Sequence, residues 1–283
     1  MDEVGEAVNE MKSGKASGLD GFPVECLKKG GMALLEWLVR LFNFSFDMGV
    51  VPMDWRGACI VPLYKGKCDK CECSNSRGIS LLSVVGKLFG RVRIKRVKAG
   101  TECAIGEEQC GFRQGRGCMD KVFAVRQVCE KYLANGKDVF WAFMDLEKAY
   151  DTIDRHGMWQ MLRVYGVGGK LLKAVRSFYV DSIACVRVGI DVSEWFPVNV
   201  RLREGCVMSP WLFNVYMDGV AREPHIETSH SPVLIQHLPE TIYSHHFPPG
   251  HTPYYLHKNS ALLSAIFLQL HTLLASATYN VDR

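Results

Sequence analysis

Asp145 closes an apolar run, residues 139–144, that is short enough and apolar enough to be a fully buried strand. A carboxylate at the C-terminal end of such a strand has two uses: it supplies a hard oxygen ligand to a divalent cation, or it caps the helix that follows. Tyr150 either packs a strand-to-helix junction or offers its ring to a ligand, and Asp151 and Asp154 stand where they favour the next helix's dipole. Lys65 and Arg77 flank a polar loop, as solvated charges or as cations that neutralise phosphate. Cys68, Cys71 and Cys73 open like a zinc motif but lack a fourth ligand, the nearest histidine in sequence being His156, so no zinc is expected. Lys87, Arg91, Arg93, Lys95, Arg96 and Lys98 surround one helical stretch. They form a solvated face or, with Lys65, Lys67, Arg113 and Arg116, a track for a polyanion backbone.

These residues need elements to hold them. Val4, Ala7, Val8 and Met11 fall at helical spacing before a Gly-rich segment, and residues 32–48 carry an apolar stripe of Leu34, Leu35, Leu38, Leu41 and Phe42. Residues 58–64 and 78–82 read as strands around the loop between Lys65 and Arg77. Helices are expected over 84–98 and 120–134, the second ending at an Asn135-Gly136 turn. Beyond Asp145 come a helix ending near Gly166, another over 171–179, a strand pair around 183–188 and 196–200, and a helix from about Ser209.

In order, the chain carries Gly14-Lys15-Ala16-Ser17-Gly18-Leu19-Asp20-Gly21, Ile60-Val61-Pro62-Leu63-Tyr64-Lys65-Gly66-Lys67, Ser76-Arg77-Gly78-Ile79-Ser80-Leu81-Leu82 and Gln109-Cys110-Gly111-Phe112-Arg113. Met144-Asp145-Leu146-Glu147-Lys148-Ala149-Tyr150-Asp151 and Gly205-Cys206-Val207-Met208-Ser209-Pro210 follow. This series resembles the reverse transcriptases of non-LTR, LINE-type retrotransposons, the last two segments being similar to motifs A and B. The likeness covers residues 1–223. Motif C of that family carries two adjacent aspartates, and nowhere in this sequence are two aspartates adjacent.

The resemblance implies an α+β polymerase right-hand fold represented by fingers (1–137) and a partial palm (138–223) with an antiparallel sheet and no thumb. It implies RNA-directed DNA polymerisation with Mg²⁺, deoxynucleotides, an RNA template and a DNA primer. Asp145 would be the catalytic metal ligand with the Leu146 carbonyl beside it. Lys65 and Arg77 would hold the triphosphate, and Tyr150 would lie under the sugar and exclude a 2′-hydroxyl. Gly205, Arg91, Arg93, Arg96 and Arg113 would contact template and primer. Two departures count against activity. Glu204 stands where motif B has Gln, and Arg201 where a glycine is expected. With the motif C pair absent, the chain as written is expected to be truncated and inactive. The alternative is a non-catalytic retroelement fragment or a domesticated nucleic-acid-binding or interaction protein.

Composition agrees with a globular body followed by something else. Net charge is +4, and residues 224–283 hold Lys258 and Arg283 against Glu227, Glu240 and Asp282, so the surplus lies before them. All 11 cysteines lie at or before Cys206, while eight of nine histidines lie at or after His225. Free thiols, no signal peptide and no membrane span point to an intracellular protein, cytoplasmic or nuclear. Six of 11 prolines fall within 224–283, which is expected to be an unrelated irregular tail with one apolar helix over 261–277 and no strand to pair with motif A.

Overall fold

The computed structural model describes residues 1–222, except 19, 67–68, 70, 140, 144–145 and 147, together with 243–245. Helices α1 (Asp2–Asn9), α2 (Val24–Lys29), α3 (Gly31–Met48) and α4 (Met53–Arg56) lead into the hairpin β1 (Gly57–Tyr64) and β2 (Ser76–Leu81). Then follow α5 (Val84–Thr101), α6 (Cys118–Ala134), β3 (Trp141–Phe143), α7 (Arg155–Val164), α8 (Gly169–Ser177), β4 (Ile183–Val188), β5 (Asp191–Val192), β6 (Phe196–Pro197), α9 (Ser209–Arg222) and β7 (Tyr243–His245). The helices and strand pairs expected up to residue 222 are therefore present, with ends shifted by a few residues.

The first of two units comprises Met1–Ala104 and Tyr150–Val215. Its five-stranded sheet runs β2-β1-β4-β5, with β6 also paired to β4. The sheet is mixed rather than antiparallel. β1 and β4 run parallel, aligning Ala58 with Ala184 and Cys59 with Cys185. A parallel pair needs a long crossover, and the intervening helices supply it. In the same unit, Phe42, Trp55, Phe89 and Phe178 form one aromatic cluster, with centroids 5.1 Å apart for Phe42 and Phe89 and 5.4 Å for Trp55 and Phe89. Gly18 lies so close to the end of β2 that a Cβ there would meet the Leu82 carbonyl at 2.6 Å, so no side chain fits at that point of the Gly-rich segment.

α5 begins where the Ser83 hydroxyl accepts from the Gly86 amide, an N-cap. Its outer residues hold α1 in place. Arg96 donates to both oxygens of Glu3, at 3.1 and 2.7 Å, while Arg91 and Lys95 donate to the two oxygens of Glu10 at 3.1 and 2.6 Å. Val4, Ala7 and Val8 bury the apolar face of α1.

The second unit comprises residues 105–149 and the described residues from 216 onward. The Gly117 amide donates to Asp120 Oδ2 at 2.8 Å and starts α6. The buried Asp218 carboxylate accepts from the Gly106 amide at 2.9 Å and lies 3.1 Å from Arg222 Nε. β3 pairs antiparallel with β7, aligning Trp141 with His245 and Phe143 with Tyr243. The sequence offered this strand no partner from beyond residue 224, because three residues are too few to register as a period. The expected helix over 261–277 lies outside the described residues.

Candidate functional site

The β1/β2 hairpin gathers two cations. Leu63 stands opposite Arg77, and the Lys65 amide donates to the Asn75 carbonyl at 2.9 Å. Lys65 and Arg77 are thus diagonal neighbours on one face, a spacing of about 7–8 Å. Strand β2 is met along its other edge by the segment before α9. The Ser80 amide donates to the Glu204 carbonyl at 2.9 Å, and Gly205, at φ +96°, passes so near that a Cβ would lie 2.8 Å from the Ser80 oxygen. Only glycine accommodates both that dihedral and that approach.

This docking brings the Glu204 side chain to Arg77, whose Nε donates to Oε2 at 2.8 Å. Glu204, which stands where motif B has Gln, is set by the fold on a cation. Tyr150 completes the group. Its carbonyl accepts from the Leu202 amide at 2.9 Å, and its ring stacks on Phe213, 5.0 Å between centroids and 22° between planes. Burial, helped by the Glu204 charge, pushes the phenol up to about 12. It is therefore neutral at ordinary pH.

The backbone beneath is fixed by two arginines that nothing in the sequence singled out. Arg203 donates to the carbonyls of Trp55 at 3.2 Å, Arg56 at 2.6 Å and Phe178 at 2.6 Å. Arg155 donates to the carbonyls of Arg201, Tyr179, Val198 and Val200. Their acceptors are backbone groups from distant segments, which leave no local signature. Arg201 itself adopts φ +81°, the left-handed conformation glycine favours, and lies 3.7 Å from Asp151 Oδ1.

Two of the expected template contacts, Arg93 and Arg113, need correction. Arg93 is 3 % exposed, with its guanidinium 4.5 Å over the Phe46 ring and 4.9 Å over Phe89. Burial pulls it down to about 10, so it remains cationic, but no backbone phosphate can reach it. Arg113 is 7 % exposed and donates to the carbonyls of Gly106 and Gln109, holding a loop. Arg91 and Arg96 are engaged with Glu10 and Glu3. Side-chain charge is visible in a sequence; its burial among aromatics is not.

Asp145 lies outside the described residues, and Leu146 is half-buried. Among the described residues no group of three or more His, Cys, Asp or Glu side chains is placed to hold a metal ion. Asp154 accepts from the His156 and Gly157 amides as the cap of α7, and Asp151 faces Arg201. Each of these two carboxylates therefore already has a partner within the protein. Cys71 and Cys73 are exposed thiols, and Cys68 lies outside the described residues. No described helix is long and apolar enough to cross a membrane.

The family model described as reverse transcriptase (RNA-dependent DNA polymerase) matches residues 65–237. The chain belongs to the reverse transcriptase family. The match runs past residue 223, where the sequence reading ended the likeness. A putative 115 kDa protein of the type-1 retrotransposable element R1DM of Drosophila melanogaster is 30% identical over 222 residues, covering 76% of this chain and 21% of the relative. The RNA-directed DNA polymerase of the mobile element jockey, also from D. melanogaster, is 25% identical over 239 residues, 83% of this chain and 26% of the relative. An uncharacterised 149 kDa protein of transposon TX1 from Xenopus laevis is 25% identical over 218 residues, 77% of this chain and 17% of the relative. The reverse transcriptase domain here is thus of the non-LTR, LINE type, with the right-hand-like polymerase fold, and the family membership favours the polymerase reading over a domesticated interaction protein. The chain spans roughly a fifth of the length of these relatives.

Proposed function

We propose that this chain provides the nucleotide-binding side of an RNA-directed DNA polymerase, with fingers over residues 1–137 and a partial palm over 138–223. The observation that carries the reading is the convergence of Arg77, Tyr150 and Gly205 through the docking of the Glu204 backbone on β2. Arg77 and Lys65 take the triphosphate of an incoming deoxynucleotide. As pyrophosphate departs, negative charge grows on its oxygens, and two fixed cations lower the energy of that state more than that of the bound substrate. Tyr150, its ring braced by Phe213, lies beneath the sugar and collides with a 2′-hydroxyl. RNA template and DNA primer are the polymer partners.

Members of this family generally use divalent metal ions. By the match to motif A, Asp145 and the Leu146 carbonyl would hold Mg²⁺, which would supply Lewis-acid stabilisation of the charge that develops in phosphoryl transfer.

The test is binding of a fluorescent deoxynucleoside triphosphate to the full chain. Arg77→Ala and Lys65→Ala should each weaken it. Affinity unaltered in the double variant removes the hairpin from the nucleotide site.

A further inference from the structure

A cleft of about 590 Å³ opens in the first unit, away from the residues just described. Its walls are the turn after α3, the last turn of α7 and one face of α8, and it shares no lining residue with the Arg77 and Tyr150 site. Four cations line it: Arg56, Arg163, Lys173 and Arg176. The one carboxylate is Asp181.

Arg56 is already matched. Its Nε and Nη2 donate to the Val51 carbonyl at 3.2 and 2.9 Å, and its Nη1 lies 3.7 Å from Asp181 Oδ2. The neighbouring Lys170, outside the cleft lining, is held by Asp47 at 2.8 Å. Arg163, Lys173 and Arg176 are exposed and have no ion-pair partner among the described residues. Lys173 and Arg176 are three residues apart on α8, so their side chains leave one face about 5–6 Å apart at Cβ. Like charges so placed repel one another, and an anion with several charges relieves them all. No aromatic side chain lines the cleft. Bases gain no stacking platform there, so recognition is of the backbone and not of sequence.

We propose that this cleft binds the phosphodiester backbone of a single-stranded nucleic acid at a site separate from the polymerase centre. That the polyanion is a nucleic acid rests on the reverse transcriptase reading; that it is a polyanion rests on the cleft itself.

The probe is a fluorescein-labelled 12-nucleotide oligo-uridylate, titrated onto the full chain at several salt concentrations. Each phosphate contact adds about 0.7 to the slope of log affinity against log salt for a single strand. The variant Arg163→Gln/Lys173→Gln/Arg176→Gln should flatten the slope by about 2 and cost about tenfold or more in affinity at low salt. It should leave deoxynucleoside triphosphate binding intact, because Lys65 and Arg77 are untouched. Lys170→Gln, which removes a cation already paired, should change the slope little. A triple variant with unaltered slope, or a Lys170→Gln effect equal to that of the triple variant, overturns the cleft as a site. So does binding to phosphatidylserine vesicles without binding to the oligonucleotide. If triphosphate binding proves insensitive to Arg77→Ala while the oligonucleotide still depends on the triple variant, the cleft stands and the nucleotide-site assignment falls.

Discussion

Arg77 Nε and Glu204 Oε2, 127 positions apart in sequence, lie 2.8 Å apart. The side chains are 61% and 28% exposed, so the pair lies where solvent screens it and a stronger anion displaces it. Glu204 therefore competes with any phosphate that approaches Arg77.

Removing that competitor should tighten nucleotide binding. A partly exposed pair is worth about 0–1 kcal/mol, which sets a ceiling of about fivefold on the gain from Glu204→Gln. Equilibrium titration with a fluorescent deoxynucleotide measures it, and Arg77→Ala in the same background should erase the difference. Weaker binding by Glu204→Gln would mean that the carboxylate helps rather than competes.

Tyr150→Ala should relax selection of deoxynucleotides over ribonucleotides, on the order of tenfold, and should cost about 0.5–1.5 kcal/mol of stability through the lost Phe213 stack. Tyr150→Phe keeps the ring and should preserve selection. Because the phenol titrates near 12, selection should be flat between pH 7 and 9. Competition between the two nucleotide types at each pH is the measurement.

Two positions before α9 should respond with opposite signs. Arg201 holds φ +81°, at a cost of about 1–2 kcal/mol for a residue with a Cβ. Arg201→Gly relieves this and loses a 3.7 Å contact with Asp151 worth about 0–1 kcal/mol. Thermal melts should show a net gain of about 1 kcal/mol. Gly205→Ala should lose about 2 kcal/mol, since it adds the same dihedral cost and drives a Cβ against the Ser80 carbonyl. A destabilised Arg201→Gly would show that the Asp151 contact outweighs the strain.

Attachment of α1 to α5 should fail in acid. Hydrogen bonds from Arg96 and from Lys95 hold the Glu3 and Glu10 carboxyls below their ordinary value of 4.5. The unfolded chain therefore takes up these protons first as pH falls, and the stabilisation, complete above about pH 4.5, disappears as pH falls through the folded values. Melts across pH 3–7 should show this decline in the parent chain and a shallower one in Glu3→Gln/Glu10→Gln. Equal slopes would place the acid sensitivity elsewhere.

The longer helices were legible where an apolar period meets a recognisable end, as in α3 with its stripe and its left-handed Gly49 cap, whereas α2 and α4 are too short to show a period. The hairpin was legible from two apolar runs about a polar loop. The parallel pairing of β1 with β4 was not, because alternation within a strand names no neighbour. At the site, Lys65, Arg77 and Tyr150 came from ordered motifs, yet the role of Glu204 depends on how a loop docks against β2. Arg91, Arg93, Arg96 and Arg113 showed charge without showing partners. Glu3 in α1 and Glu10 at its C-cap lie at helical spacing, but only packing reveals which helix they meet.

Arg203 has a bearing on how the protein is made. Its guanidinium joins the carbonyls of Trp55, Arg56 and Phe178, so the first unit closes only after residue 203 has left the ribosome. Translation at about 5–20 residues per second puts that moment on the order of ten seconds after Ala104 emerges. For most of that interval the β1/β2 hairpin lacks β4 on one side, and for all of it the Glu204 carbonyl on the other. The nascent N-terminal part therefore emerges with its sheet edges unpaired before it can be a domain.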